Sequence, residues 1–424
     1  MKRLRRHSPS LALAIITLIG LIGFVDRIVV NALVEPLKAE FGLSDAQIGT
    51  LGFAYSTLNI VLGVVVARMA ESRRRLTFTA VGTLLWSIAA TACGFVNGWY
   101  QLLAARIAVG VGEAVGLPAN QSLIADYYPP GRRATAMSVL LLAAPLGAFV
   151  GLAGGGYIAQ IWGWRWAFII TGLPGILLAA IVWLFLQEPE RGAHDALKDE
   201  QVPPIGTVIR RFVILPSARH LLIGSSLGSM VGFGMIAFLS ALISRRFGLP
   251  VGEAGLTTAL ISSFPAALAT IGGGVLADRL APRLRASYAL VPAIGLLLAA
   301  PLYFLAFTRS DFVPFVVFTS LAALVQFAYL GVTAGTLQNM MGSRMRATAN
   351  ALTNILGGLI GGLGPVLIGL LSDRLAATGL PSDVALGYAM CGGGLLSLWA
   401  AGHYFLAART VANDLNAVRE GTHA

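Results

Sequence analysis

The sequence predicts an all-α integral membrane protein: twelve transmembrane helices in two pseudo-symmetric six-helix halves. Three observations carry this. Of 424 residues, 56% are hydrophobic and only 12% charged, about half the charge of a typical soluble domain. Apolar runs of spanning length recur from end to end, with short polar breaks. Finally, motifs at span ends return in the second half. Gly63-Val-Val-Val-Ala67-Arg68 reappears as Gly274-Val-Leu-Ala-Asp278-Arg279, and Arg133-Ala-Thr-Ala136 as Arg346-Ala-Thr-Ala349. The offsets, 274 − 63 = 211 and 346 − 133 = 213, nearly agree. Two halves of parallel topology follow, with a site expected near mid-bilayer where they meet.

The spans are expected near 11–34, 45–69, 76–96, 99–127, 133–160, 165–187, 219–244, 252–278, 286–308, 312–340, 346–373 and 384–408. The domains are then 1–187, a linker 188–218, and 219–424 with a short tail. The first run reads as a retained helix rather than a signal peptide. It is long, contains Asp26-Arg27 and lacks a small-x-small cleavage site. Lys2, Arg3, Arg5 and Arg6 precede it, Arg73–Arg75 follow the second span, and Arg132 and Arg133 the fourth. Arg191, Lys198, Arg210 and Arg211 lie in the linker, Arg279, Arg283 and Arg285 after the eighth span, Arg344 and Arg346 after the tenth. The other side carries little more than Lys38, Arg165, Arg245, Arg246 and Arg309. By the positive-inside rule both termini are cytoplasmic; the membrane expected is the plasma membrane, a bacterial inner membrane. The net charge of +11 thus reflects topology and an anionic cytoplasmic leaflet, not a nucleic-acid partner.

The fourth span carries Arg106 and Glu113, and the first Asp26 and Arg27. Charges at membrane depth cost roughly 2.5–3.5 kcal/mol each even on insertion scales, and mark a function or a permanent pair. At a rise of about 1.5 Å per residue, Asp26 lies roughly 13 Å below the outer end of its helix, with Arg106 and Glu113 roughly 10 and 21 Å down theirs. Arg106 and Glu113 share a face but stand two turns apart, too far for the usual pairing. Cross-pairing of Asp26 with Arg106 and Arg27 with Glu113 is therefore expected. Protonation of either acid would strand a cation and drive rearrangement; the alternative is a fixed lock between the two helices. Asp26, the shallower acid, is the preferred proton carrier.

Gly147, Gly151 and Gly154–Gly156 in the fifth span, and Gly357, Gly358, Gly361, Gly362 and Gly364 before Pro365 in the eleventh, are expected to form smooth surfaces of a moving interface. In the linker, Ile205, Val208, Ile209, Phe212 and Val213 have helical spacing opposite Arg210 and Arg211, so this stretch is either an amphipathic surface helix or a tether. Candidate substrate contacts are neutral polar groups at helical spacing, Gln326, Tyr329 and Thr333, then Asn350, Thr353 and Asn354. Tyr55, Asn59, Phe233, Phe238 and Phe327 join them, a set suited to a solute with an apolar body and a polar head. Asp126 is expected near Arg132 or Arg133.

An enzyme is disfavoured. The five histidines do not cluster within spans, Cys93 and Cys391 imply neither disulfide nor metal site, and no phosphate-binding Gly-Lys-Ser/Thr loop supports ATP coupling. No cofactor is expected. Nothing points to the selectivity constriction of a channel.

The chain resembles the major facilitator superfamily throughout. Gly63 to Arg75 and Gly274 to Arg285 are similar to its repeated loop motif, Arg106 to Gly112 to its fourth-helix motif, and Ala144-Pro145-Leu-Gly147 to the fifth-helix motif of exchangers. Ala67 stands where the loop motif usually has Asp, so a gate would rest on the second copy, Asp278 and Arg279, or on Arg68 and Glu71. Val25-Asp26-Arg27, Arg106 to Ala114, Ile124-Ala-Asp126-Tyr-Tyr-Pro129, Trp164-Arg165-Trp166-Ala-Phe168 and Glu188-Pro-Glu-Arg191-Gly192 together resemble the Spinster-like group. That resemblance implies a proton-coupled, monomeric carrier working by alternating access and exporting a lysolipid or sphingolipid-like amphiphile. Organic-anion symporters and multidrug exporters of the same superfamily are the alternatives.

Overall fold

The computed structural model describes residues 8–190, 204–341 and 345–419, and its elements are helices. In chain order these are α1 (Pro9–Ala32), α2 (Val34–Phe41), α3 (Asp45–Ser72), α4 (Arg75–Ala92), α5 (Trp99–Tyr127), α6 (Pro130–Leu141), α7 (Ala143–Trp162), α8 (Trp164–Phe185) and α9 (Ile205–Ile214). Next come α10 (Pro216–Phe247), α11 (Val251–Thr258), α12 (Phe264–Leu280), α13 (Ser287–Phe307), α14 (Phe312–Gln326), α15 (Tyr329–Met340), α16 (Arg346–Ala377), α17 (Ser382–Ala408) and α18 (Val411–Arg419). A π-helical turn, Ala259–Ser263, joins α11 to α12. Among the described residues, ten helical stretches are long and apolar enough to cross a membrane. The helices α3 and α5, of 28 and 29 residues, are as long but are not among those ten.

Local chemistry sets the breaks. Gly248 (φ 67°) and Gly379 (φ 94°) take left-handed conformations after α10 and α16, where a side chain would be strained. Pro250 and Pro381 then stand at the N-caps of α11 and α17, positions that need no free N–H. Between breaks the outward faces are apolar, with Ile161, Leu177, Phe264, Ile271 and Val313 each more than 60% exposed. In water such surfaces would aggregate; in hydrocarbon they cost nothing, while the helical ladder satisfies the backbone.

The chain forms two compact units. Unit 1 comprises Met1–Ser44, Thr50–Glu200 and Gly248–Ala259; unit 2 comprises Asp45–Gly49, Gln201–Phe247 and Leu260–Ala424. Beside the sequence expectation of 1–187, 188–218 and 219–424, Asp45–Gly49 groups with unit 2 and Gly248–Ala259 with unit 1, and a close glycine contact lies at each. A Cβ at Gly255 of α11 would lie 2.4 Å from the Leu152 carbonyl oxygen, so α11 seats on α7 within unit 1. A Cβ at Gly369 of α16 would lie 2.4 Å from the Asp45 oxygen, which seats the start of α3 in unit 2.

Small residues govern packing in both units. In unit 1, α4 and α5 touch backbone to backbone at Gly82, Gly112 and Gly116, and α7 lies on α1 through Gly147, Gly151 and Gly155. These three α7 glycines, expected on a moving interface, are engaged in close packing inside their own unit. In unit 2, a Cβ at Gly364 would fall 2.0 Å from the Met230 oxygen, so α16 rides directly on α10. The linker region contains α9, which buries Val208 and Phe212 in the unit 2 core and exposes Ile205, Ile209 and Val213. Linker residues 191–203 lie outside the described residues.

Candidate functional site

Glycine spacing on α5 decides what the charged side chains meet. Arg106, Gly110 and Glu113 recur at four and three residues, so they share one face; Gly112 and Gly116 form another. A Cβ at Gly110 would lie 2.6 Å from the Tyr55 carbonyl oxygen, and one at Gly112 lies 2.4 Å from the Trp86 nitrogen. The first face therefore presses on α3 and the second on α4. Between the two charges a bare backbone admits Tyr55 to the cluster.

Asp26, Arg106 and Glu113 are each no more than 2% exposed. Arg27 donates from Nη2 to Glu113 Oε2 at 2.8 Å and from Nε to the Tyr55 hydroxyl at 2.8 Å. The Tyr55 hydroxyl donates in turn to the same Glu113 oxygen, closing a three-membered ring. The Tyr55 ring is flanked by both guanidiniums, 5.2 Å from Arg27 and 5.4 Å from Arg106, within cation–π range. A cavity of about 20 Å³, the size of one water, adjoins Arg27, Thr83, Glu113 and Asn120.

The expected Asp26–Arg106 ion pair is not formed. Arg106 donates instead to main-chain oxygens of α1, from Nη1 to Asp26 at 3.0 Å and from Nη2 to Arg27 at 3.5 Å. A helical carbonyl keeps a second lone pair after its ladder bond, so it can accept a buried guanidinium. Among the described residues neither Asp26 carboxylate oxygen has a hydrogen-bond partner. The charges of Arg106 and Glu113 act on it, and the Thr171 hydroxyl of α8 approaches it while donating to the Ala167 and Phe168 oxygens. The four charges sum to zero when ionised, but one acid is bonded and the other is not.

Two ionic clusters escaped the sequence reading. In unit 1, buried Arg75 pairs with Asp126 and, at 3.1 Å, with Glu188, whose carboxylate also accepts the Arg75 and Leu76 N–H groups at the start of α4. Asp126, expected near Arg132 or Arg133, is thus held by Arg75. In unit 2, Arg245 grips Asp45 through two bonds of 2.9 and 2.7 Å, Ser372 donates to Asp45, and the Asp373 carboxylate caps α3 at the Asp45 and Ala46 N–H groups. Their partners lie 51 to 328 positions apart, and nothing in local spacing announces them.

The other candidates divide by environment. Asn59 donates to the Gly110 oxygen at 3.3 Å, beside the cluster. Gln326 donates to the Gly228 oxygen and accepts from Ser397, Thr333 bonds Tyr404 at 2.5 Å, Tyr329 bonds Ser229, and Thr353 donates to the Ala349 oxygen. Gln326, Tyr329 and Thr333 are buried struts between helices. Phe238 is buried and Phe327 half-buried, whereas Phe233, Asn350 and Asn354 are exposed. Asp278 accepts from Tyr288 at 3.1 Å, and Arg279 is exposed. The side chains of Arg68 and Glu71 lie outside the described residues.

Comparison with known proteins gives a consistent picture. The sequence profile of the Major Facilitator Superfamily matches residues 15–365. An MFS-type efflux pump of Mycolicibacterium smegmatis is 31% identical over 375 residues, 87% of this chain and 86% of that protein. Human protein spinster homolog 1 is 28% identical over 411 residues, 90% of this chain and 77% of that one. Among solved structures, a bacterial homologue of the human lysosomal transporter Spinster, inward-facing and unoccupied, superposes with a TM-score of 0.88 at 29% identity, covering 96% of this chain and 98% of that one. A D-xylose–proton symporter shares the fold at 16% identity and a TM-score of 0.72.

Proposed function

The chain belongs to the major facilitator superfamily, and on that premise we propose that it is a proton-coupled secondary active transporter that exports an amphipathic, lipid-like solute by alternating access. The multi-pass helical fold and the likeness to Spinster homologues stand behind the transport reading. One observation supports proton coupling: Asp26 is buried at 1% exposure, beside a ring that leaves its oxygens without hydrogen bonds among the described residues. Protonating Asp26 breaks no bond and turns a neutral buried cluster into a cation, which low dielectric penalises. Protonating Glu113, whose Oε1 likewise has no hydrogen-bond partner among the described residues, would instead remove the counter-charge of its 2.8 Å ion pair with Arg27 and weaken the bond from Tyr55. Asp26 is therefore the proton carrier, and Arg27, Tyr55, Arg106 and Glu113 re-pair in response.

Export is supported by the name of one relative, an MFS-type efflux pump. The same reading takes α3 and α5 as two further spans, which makes twelve. It sets a monomer in a bacterial inner membrane with both termini cytoplasmic, where α9 meets the anionic leaflet, and assigns gating to Asp278 and Arg279. Substrate contacts then fall to Asn59, Phe233, Phe327, Asn350 and Asn354, since the buried struts are already bonded. The test is efflux of a lysolipid and organic-anion panel from proteoliposomes with and without a proton gradient. Gradient-driven movement of lysolipids is the expected outcome. Movement of organic anions alone would favour a symporter of such anions, and movement of unrelated cationic drugs a multidrug exporter.

A further inference from the structure

Apart from the charged cluster of unit 1, unit 2 contains a groove between α10, α16 and α17. Its floor is Met230 of α10 with Gly392 and Gly393 of α17; Leu367, Leu370 and Leu371 of α16 and Leu396 of α17 form its walls. It exists because α17 lacks side chains where α16 crosses it: a Cβ at Gly393 would lie 2.8 Å from Ile368 Cδ1. The volume is about 440 Å³, within the ~300–1,000 Å³ of small-molecule sites. Its surroundings identify the medium it opens to, since Leu367, Leu370, Leu395, Leu398 and Trp399 are all exposed.

Arg374 stands at one end of the groove, in the last turn of α16. It is exposed, and no described residue bonds it. The adjacent acid does not neutralise it: Asp373 points about 100° away around the helix, and its two oxygens are occupied by the Asp45 and Ala46 N–H groups. Asp383, at the same end of the unit, pairs with Arg246 at 3.7 Å. From Gly364 to Arg374 the groove runs ten residues of helix, roughly 15 Å, half of a hydrocarbon core about 30 Å thick. One acyl chain of one leaflet has that reach.

We infer that this groove between α16 and α17 holds an anionic phospholipid of the surrounding bilayer, its acyl chain along Leu367, Leu371 and Gly392 and its phosphate on Arg374. An unpaired guanidinium matches a phosphate through two parallel N–H bonds, and the apolar trough below takes the chain. The site is independent of the proton chemistry, and stands or falls apart from it.

Native mass spectrometry of the full chain in detergent tests it, with phosphatidylglycerol, phosphatidylcholine and inorganic phosphate added separately. Phosphatidylglycerol is expected to bind about tenfold more tightly than phosphatidylcholine. R374Q should erase that preference, weakening phosphatidylglycerol more than phosphatidylcholine, whose own choline cation already offsets the phosphate charge. L367W, which narrows the trough at an exposed position, should weaken both lipids without lowering the melting temperature. Equal binding of the two lipids, a preference that survives R374Q, or retention of inorganic phosphate as strongly as phosphatidylglycerol would each overturn the assignment.

Discussion

Replacing Glu113 by Gln isolates the energetics of the Arg27–Tyr55–Glu113 ring. The amide oxygen still accepts the Tyr55 hydroxyl, but Arg27 loses its counter-charge. At 2.8 Å and an effective dielectric near 20, the gross attraction is roughly 6 kcal/mol, most of it offset by desolvation. Removing one partner of a buried pair typically costs about 3–5 kcal/mol. Because the Arg27 side chain keeps 32% exposure, water recovers part of this, and about 2–3 kcal/mol is expected. At about 2–4 °C per kcal/mol for a domain of this size, the midpoint should fall by about 5–10 °C. R27Q should fall by a similar amount, whereas R27Q/E113Q carries no stranded charge and should lose clearly less than the two single losses combined. The assay is built in: Cys93 and Cys391 are free, buried thiols that react with a thiol-specific fluorophore as the helices open. A double variant whose loss equals the combined losses within about 1 °C would refute the ring as an energetic unit.

Three further outcomes follow from the same geometry. R75A leaves Asp126 and Glu188 without their shared cation and should cost about 3–5 kcal/mol; R75K should recover only part of it, since an ammonium cannot span both carboxylates, as melting in the same assay will report. G364A places a methyl where the Met230 oxygen lies 2.0 Å away, so α16 must move off α10 and expression of folded protein should drop sharply, whereas G272A, with open space around it, should be tolerated. Glu40, outside the spans, is held below the usual carboxylate range by hydrogen bonds from Arg165 and Trp164. Its contribution, no more than about 1 kcal/mol for so exposed a pair, is therefore present above pH ~4.3 and disappears as pH falls through the lower native value; E40Q should flatten the acid limb of the melting-temperature profile between about pH 3 and 5.

The helical membrane architecture was legible because hydropathy, the cost of buried charge and the internal repeat each act through composition and local spacing. The meeting of Arg27 with Glu113 was legible too, since two buried charges without partners on their own helices must find them across a boundary. The fate of Arg106 was not. Its partners are main-chain oxygens, which every residue carries and no pattern distinguishes, so a carboxylate was the natural guess. Tyr55 fits a substrate contact by sequence alone, since the small side of α5 at Gly110, which admits it to the cluster, shows only when α3 and α5 are packed. Arg75 and Arg245 looked like topological charges at span ends. Only folding brings Asp126, Glu188 and Asp45 to them. Gln326, Thr333 and Tyr329 illustrate the converse, where polar residues at helical spacing became struts because partners on α10 and α17 filled their bonds.

The central claim is that a proton on Asp26 drives the transport cycle, and D26N measures it most directly, since the amide fits the same pocket but cannot ionise. Proteoliposomes of wild type and D26N, carrying an internal pH-sensitive dye, should be compared for lysolipid-dependent proton movement and for lysolipid flux under a proton gradient. The account predicts that D26N binds lysolipid yet moves no protons, and that its flux ceases to respond to the gradient. Full gradient-driven flux with undiminished proton movement in D26N would contradict it.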